Sequence, residues 1–101
     1  MYRHREELTP TMDEWIEDGD FWVRRVAILH QLKYKSDTHA ERLFRYCRST
    51  MHEDEFFIRK AIGWSLREYS KTDRLAVKAF VQQHSNELSA LSKREASKYL
   101  G

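Results

Sequence analysis

Apolar residues recur three and four positions apart along most of the chain, which is the spacing of amphipathic helices. No segment shows the sustained two-residue alternation of a half-buried strand. One Pro and three Gly in 101 residues provide few breaks, which also favours helices over a turn-rich β architecture. The pattern therefore predicts an all-α protein with helices near 12–18, 21–33, 39–51, 55–70, 73–84 and 93–100.

Helix start signals support these boundaries. Three hydroxyl residues are each followed three positions later by a glutamate, as in a capping box, where hydroxyl and carboxylate each bind a free amide at the helix start. The pairs are Thr11–Glu14, Thr38–Glu41 and Ser92–Glu95. Asp20 and Thr72 are further candidate N-caps.

An internal repeat predicts how the helices stack. The segment 21–25 (FWVRR) is similar to the segment 56–60 (FFIRK), at an offset of 56 − 21 = 35 residues. A period in the thirties that contains two helices is typical of an α-solenoid, in which neighbouring repeats bury each other's apolar faces. We therefore predict an N-terminal extension at 1–11 and a repeat domain at 12–101, with units near 21–55 and 56–90 and a truncated unit at 91–101.

Composition restricts the functional classes. Eighteen basic and sixteen acidic residues leave a formal charge of only +2, so a phosphate-binding surface would have to come from local clustering. The single cysteine, Cys47, excludes an internal disulfide and is expected in the core; no Cys/His spacing indicates zinc. Without a signal-peptide pattern or a membrane-length apolar run, we expect a cytoplasmic protein with no cofactor, no metal and no membrane partner.

Two helices carry a candidate functional stripe. At about 100° per residue, an aromatic side chain and a cation share one face of each predicted helix. The stripe residues are Trp22, Arg25, Leu29 and Leu32 on the earlier helix, and Phe57, Lys60, Trp64 and Arg67 on the later one. Placed side by side, these two helices would form a surface able to bind a phosphate backbone. The alternative is ordinary solenoid packing, with long basic side chains that reach solvent from an apolar seam. Phe56 and Phe57 are expected in the core. Gly63 is expected to allow close helix approach or to leave space beside an indole.

Three blocks of the sequence resemble the AlkD-like DNA alkylation repair family. They are DFWVRRVAIL with QLKYK (20–29 and 31–35), FFIRKAIGWSLREYSKT (56–72) and LSKREA (91–96). The resemblance implies HEAT-like helical repeats that wrap double-stranded alkylated DNA in a basic groove. It also implies a DNA glycosylase that removes cationic purines, such as 3-methyladenine and 7-methylguanine, by hydrolysing the N-glycosidic bond without flipping the base.

The resemblance also implies functions for individual residues. Trp64 matches a catalytic tryptophan that packs against the sugar of the damaged nucleotide. Arg25 matches an arginine that lines the lesion site and contacts the DNA backbone. Trp22, Lys60 and Arg59 are further candidate DNA-binding residues.

This sequence departs from the family pattern at the catalytic acid. In the family, an Asp preceded one helical turn earlier by a Trp lies upstream of the first matching block, whereas residues 1–12 contain neither residue type. We therefore expect the C-terminal part of a larger superhelix. Three hypotheses remain: a glycosylase whose acid comes from elsewhere, a non-catalytic module that binds DNA or a protein, and a remnant that self-associates through the exposed end of its solenoid.

Overall fold

The computed structural model describes residues 11–32, 34 and 38–100, and within these ranges every regular element is a helix. The all-α prediction is therefore confirmed. The helices are α1 (residues 11–15), α2 (Phe21–Leu29), α3 (Ala40–Thr50), α4 (Phe56–Ser70), α5 (Arg74–Gln83) and α6 (Ala90–Ala96). The predicted extension up to residue 10 and the segment 35–37 lie outside the described residues, and the boundaries of the repeat units remain a prediction.

Local capping chemistry explains where the first helices begin. The Asp20 carboxylate accepts the amide of Trp22 at 2.9 Å, so the predicted cap of α2 is confirmed. The predicted caps Thr38 and Thr72 are each wrong by one residue. His39 caps α3 through its ring Nδ1, and Asp73 caps α5 through its carboxylate. Sequence spacing fixes a helix start only to within a residue or two, because neighbouring polar side chains compete for the same amides.

The last helix begins and ends earlier than the sequence predicts. Ser89, not Ser92, is its N-cap and accepts the Ser92 amide at 3.0 Å. The Ser92 hydroxyl is buried and donates to the backbone oxygen of Arg59 at 2.7 Å, a contact between α6 and α4. The helix ends at Ala96 rather than at residue 100. Tertiary contact with α4 thus decides the position of α6.

Helix α1 ends at residue 15 instead of 18, where a turn follows, and α2 ends at Leu29 instead of 33. Beyond α2, the buried Gln31 side chain accepts the His39 amide at 2.6 Å and donates to its carbonyl at 3.3 Å. This contact binds the end of α2 to the start of α3.

Helix α4 lies at the centre of the stack and packs against α2, α3, α5 and α6. Its buried face consists of Ile58, Ala61, Ile62 and Leu66, each no more than 1% exposed. These residues recur at the three- and four-residue spacing of a core-facing helix stripe. Away from this face, Phe56 and Phe57 are exposed, and Lys60 and Trp64 are half-buried. In the described part of the chain, no helix is long and apolar enough to cross a membrane.

Gly63 permits a close approach between α4 and α6. A Cβ atom at this position would lie 2.6 Å from the Cβ of Glu95, closer than two carbon atoms can approach. One turn later, the Arg67 Nη1 donates to the Glu95 carboxylate at 3.0 Å. The expected close approach at Gly63 is thus confirmed, and the first carbons of the Glu95 side chain, together with the Ser92 Cα, occupy the space.

Cys47 is a core residue, as expected. It is fully buried, with its sulfur 3.9 Å from the Ser65 hydroxyl. Burial raises the pKa of its thiol to about 12, although the contact with Ser65 and the charge of Arg48 oppose the rise. The thiol is therefore protonated at neutral pH and is a poor nucleophile.

Candidate nucleic-acid interface

The first turn of α2 presents an aromatic plane with a cation beside it. The Asp20 cap fixes this turn, and the Trp22 side chain that follows is 48% exposed. The guanidinium carbon of Arg25, half-buried, lies 5.9 Å from the centre of the Trp22 ring. This distance is within the range of a cation–π interaction, which holds the charge next to the indole.

Helix α4 presents a similar arrangement over two turns. The Lys60 ammonium lies 5.6 Å from the centre of the Phe56 ring and 4.9 Å from that of the Trp64 ring. These three residues are spaced four positions apart, so their side chains line one face of the helix. Lys60 therefore holds its charge between two aromatic rings, of which Trp64 is half-buried.

Ring contacts join the two helices into one surface. The Trp22 and Phe57 rings are 4.8 Å apart between centroids, and Phe57 also contacts Phe56 at 5.3 Å. Contacts therefore run without interruption from the cation on α2 to the indole on α4. We call this surface the aromatic–cation ridge; its members are Arg25, Trp22, Phe57, Phe56, Lys60 and Trp64. Such a ridge offers planes for stacking on sugars or bases and cations for phosphates.

The exposure of two phenylalanines corrects the sequence interpretation. Phe56 and Phe57 were expected in the core, but they are 51% and 39% exposed. The neighbouring Ile58 fills the core position instead and is fully buried. The signal was present in the sequence, since Phe57 lies on the same helical stripe as Lys60 and Trp64.

Arg59 is engaged differently from the other predicted DNA-binding residues. Its Nε donates to the backbone oxygen of Glu53 at 2.8 Å, and its Nη2 donates to the Asp54 carboxylate at 2.9 Å. The guanidinium thus braces the connection between α3 and α4 and is not a member of the ridge. A DNA contact by Arg59 remains a prediction that would require these bonds to be exchanged.

Three carboxylates near the N-terminal side of the described chain have structural partners. Asp13 accepts hydrogen bonds from the Tyr46 hydroxyl, from Arg42 at 3.0 Å and from Arg45 at 2.7 Å. Partial burial acts to raise the pKa of Asp13, but these donors and their charges outweigh it, so the pKa lies below its usual value. Burial and the same hydrogen bond raise the pKa of Tyr46.

Asp18 and Asp20, which precede α2, also accept hydrogen bonds from the backbone. The Asp18 carboxylate accepts the Asp20 amide at 2.8 Å, and the Asp20 carboxylate is the cap of α2. Each of the three aspartates that precede α2 in the described chain thus accepts at least one structural hydrogen bond.

Comparisons with known proteins agree on the family. The sequence profile of the DNA alkylation repair enzyme family matches residues 1–100. A solved structure of a predicted DNA alkylation repair enzyme from Enterococcus faecalis superposes with a TM-score of 0.90 and 41% sequence identity. The match covers 97% of this chain and 45% of the Enterococcus chain. A search of curated proteins finds no match. The chain belongs to the DNA alkylation repair enzyme family.

Proposed function

We propose that the aromatic–cation ridge binds alkylated duplex DNA and that the protein serves in the hydrolytic removal of cationic N3- and N7-alkylated purines. The observation that carries this proposal is the continuous set of contacts from Arg25 through Trp22 to Trp64. A core-packing helix pair has no need of exposed rings with cations held against them. A surface that meets phosphates and sugars together needs both.

The chemistry explains why an indole belongs at this site. When the N-glycosidic bond of an alkylated purine breaks, the cationic base leaves as a neutral molecule with the bonding electron pair. Positive charge then develops on the sugar, water adds its oxygen to the anomeric carbon, and the water proton passes to solvent or a base. The electron-rich face of Trp64 stabilises the developing cation, while Arg25 and Lys60 hold the flanking phosphates.

A carboxylate beside the sugar would contribute more stabilisation than an indole, because it carries a full negative charge. No residue is assigned to that function here, since Asp13, Asp18 and Asp20 already accept structural hydrogen bonds. The ridge binds DNA, and Trp64 stabilises the sugar cation.

The test measures binding and base release on the same duplex. Fluorescence anisotropy gives the affinity for a labelled duplex with and without 7-methylguanine over a range of salt concentrations, and chromatography measures the free base. We expect Arg25→Ala to weaken binding and to reduce the slope of log affinity against log salt by about 1, the value for one lost phosphate contact. Arg48→Ala is the matched control, because it removes the same charge from α3, which contributes nothing to the ridge.

A second variant separates chemistry from binding. We expect Trp64→Ala to reduce base release more than it reduces affinity, because the indole acts mainly on the charge that develops during bond cleavage. Salt-dependent binding without any release by the unmodified protein would favour the alternative of a non-catalytic DNA-binding module. Affinity that does not change with salt, or equal effects of Arg25→Ala and Arg48→Ala, would overturn the ridge as the DNA site.

A further inference from the structure

Arg24 lies next to Arg25 in sequence but has a different environment. At about 100° per residue it points away from Trp22 around the helix. Its Nε and Nη2 donate to the two carboxylate oxygens of Glu53 at 2.9 and 2.6 Å, and its Nη1 donates to the Asp18 carbonyl at 2.6 Å. This bidentate contact fixes both the distance and the orientation of the two side chains.

Glu53 connects this arginine to the start of α4. It lies in the connection between α3 and α4, and its carbonyl oxygen accepts the Nε of Arg59 at 2.8 Å. Its amide donates to the carbonyl oxygen of Thr50, the last residue of α3, at 3.0 Å. The side chain of Glu53 therefore bonds to α2 while its backbone bonds to α3 and α4.

The pair is shielded from water. The Arg24 and Glu53 side chains are only 17% and 18% exposed. Because each charge is poorly solvated, it is stabilised mainly by its partner. Removing either residue therefore leaves a shielded charge without an opposite charge beside it. The contact therefore has a defined geometry, unlike an exposed ion pair with mobile ends.

The first turns of α2 and α4, which this pair connects, are the turns that carry Trp22 and Phe57. The centroids of these two rings are 4.8 Å apart, and this contact joins the α2 and α4 parts of the ridge. We propose that Arg24 and Glu53 are positioning residues for DNA recognition: they set the relation between the two first turns and do not themselves touch DNA. This inference rests on the proposed function of the ridge.

One substitution distinguishes positioning from simple electrostatics. Glu53→Gln removes a negative charge, which by itself strengthens binding to a polyanion. Loss of positioning acts in the opposite direction, and we expect the affinity for the 7-methylguanine duplex to fall about threefold to tenfold. Glu41→Gln removes the same charge from a side chain that is 81% exposed on α3, and we expect its affinity to be unchanged or slightly higher.

The Trp22 ring reports on positioning without DNA. Protein labelled with 5-fluorotryptophan gives one fluorine resonance for each of the three tryptophans, and Trp22→Phe identifies its signal. We expect Glu53→Gln to shift or broaden the Trp22 resonance and to leave that of Trp15 in place. Thermal unfolding of each variant identifies a temperature at which all are folded, so that lost affinity is not lost structure.

The double variant tests whether the two residues act as a pair. If they do, Arg24→Gln in the Glu53→Gln background has little further effect on the Trp22 signal, and the changes in that signal caused by the two substitutions are not additive. Additive changes in the Trp22 resonance would overturn the pairing. An affinity at or above that of the unmodified protein for Glu53→Gln, or an unmoved Trp22 resonance, would overturn the positioning function. If the unmodified protein does not bind DNA, the proposed function fails, and the fluorine measurement still decides whether the pair sets the ring position.

Discussion

Gly63→Ala is the sharpest test of how α4 and α6 pack. The new Cβ atom would lie 2.6 Å from the Glu95 Cβ and 3.4 Å from the Ser92 Cα. Non-bonded carbon atoms prefer about 3.5–4.0 Å, so α6 must move away by about 1 Å. The Glu95 Cβ cannot swing aside, because it is attached directly to the α6 backbone.

Two opposing effects determine the magnitude. Alanine is favoured over glycine inside a helix by about 1 kcal/mol. Inserting an atom into a packed contact typically costs about 1–3 kcal/mol. We therefore expect a net loss of about 1 kcal/mol in the free energy of unfolding, which lowers Tm by about 4–8 °C in a domain of this size.

Urea denaturation followed by circular dichroism measures this loss. Gly19→Ala is the matched control: a Cβ there meets no atom within 4 Å, so it should be neutral or stabilising. In a double-mutant cycle, Glu95→Gly removes the atom that clashes, and we expect a favourable coupling of about 1–3 kcal/mol with Gly63→Ala. If Gly63→Ala is more stable than the unmodified protein and shows no coupling, the close approach of α4 and α6 does not exist in solution.

Two further predictions concern the N-terminal half of the described chain. Asp20→Ala removes the N-cap of α2 and should cost about 1 kcal/mol of unfolding free energy in the same urea assay; an unchanged midpoint would show that the Trp22 amide finds another acceptor. Asp13→Asn should destabilise the protein at pH 7, because the carboxylate accepts bonds from Tyr46, Arg42 and Arg45. The folded pKa of Asp13 lies below its ordinary 3.8, so this contribution is present above that value and is lost as the pH falls through the folded pKa. The stability difference between the two proteins should therefore narrow as the pH falls below 3.8, and a difference that stays constant there would contradict the assigned charge interactions.

Local physics makes much of the fold readable from the sequence. The three- and four-residue spacing of apolar positions identifies the helices, because each helix must bury one face. Asp20 is recognisable as a cap because its short carboxylate reaches an amide two residues later in the chain. The shared stripe of Phe57, Lys60 and Trp64 is likewise predictable, since it depends only on the helical repeat.

Other features depend on residues that are distant in the sequence. Arg24 binds Glu53, 29 residues away, and Arg67 binds Glu95, 28 residues away. Nothing in the local sequence separates these arginines from Arg25, whose neighbour is an indole on its own helix. The Ser92–Glu95 capping box fails for the same reason, because contacts with α4 engage both side chains.

Patterns along the chain are enough to predict an all-helical protein of this family and the residue types on one helical face. The contact between Trp22 and Phe57, and the choice of which cations form internal ion pairs, become visible only when the helices are packed together. The reason is physical: helix formation and capping depend on neighbours within about four residues, whereas a surface built from two helices depends on how their buried faces pack.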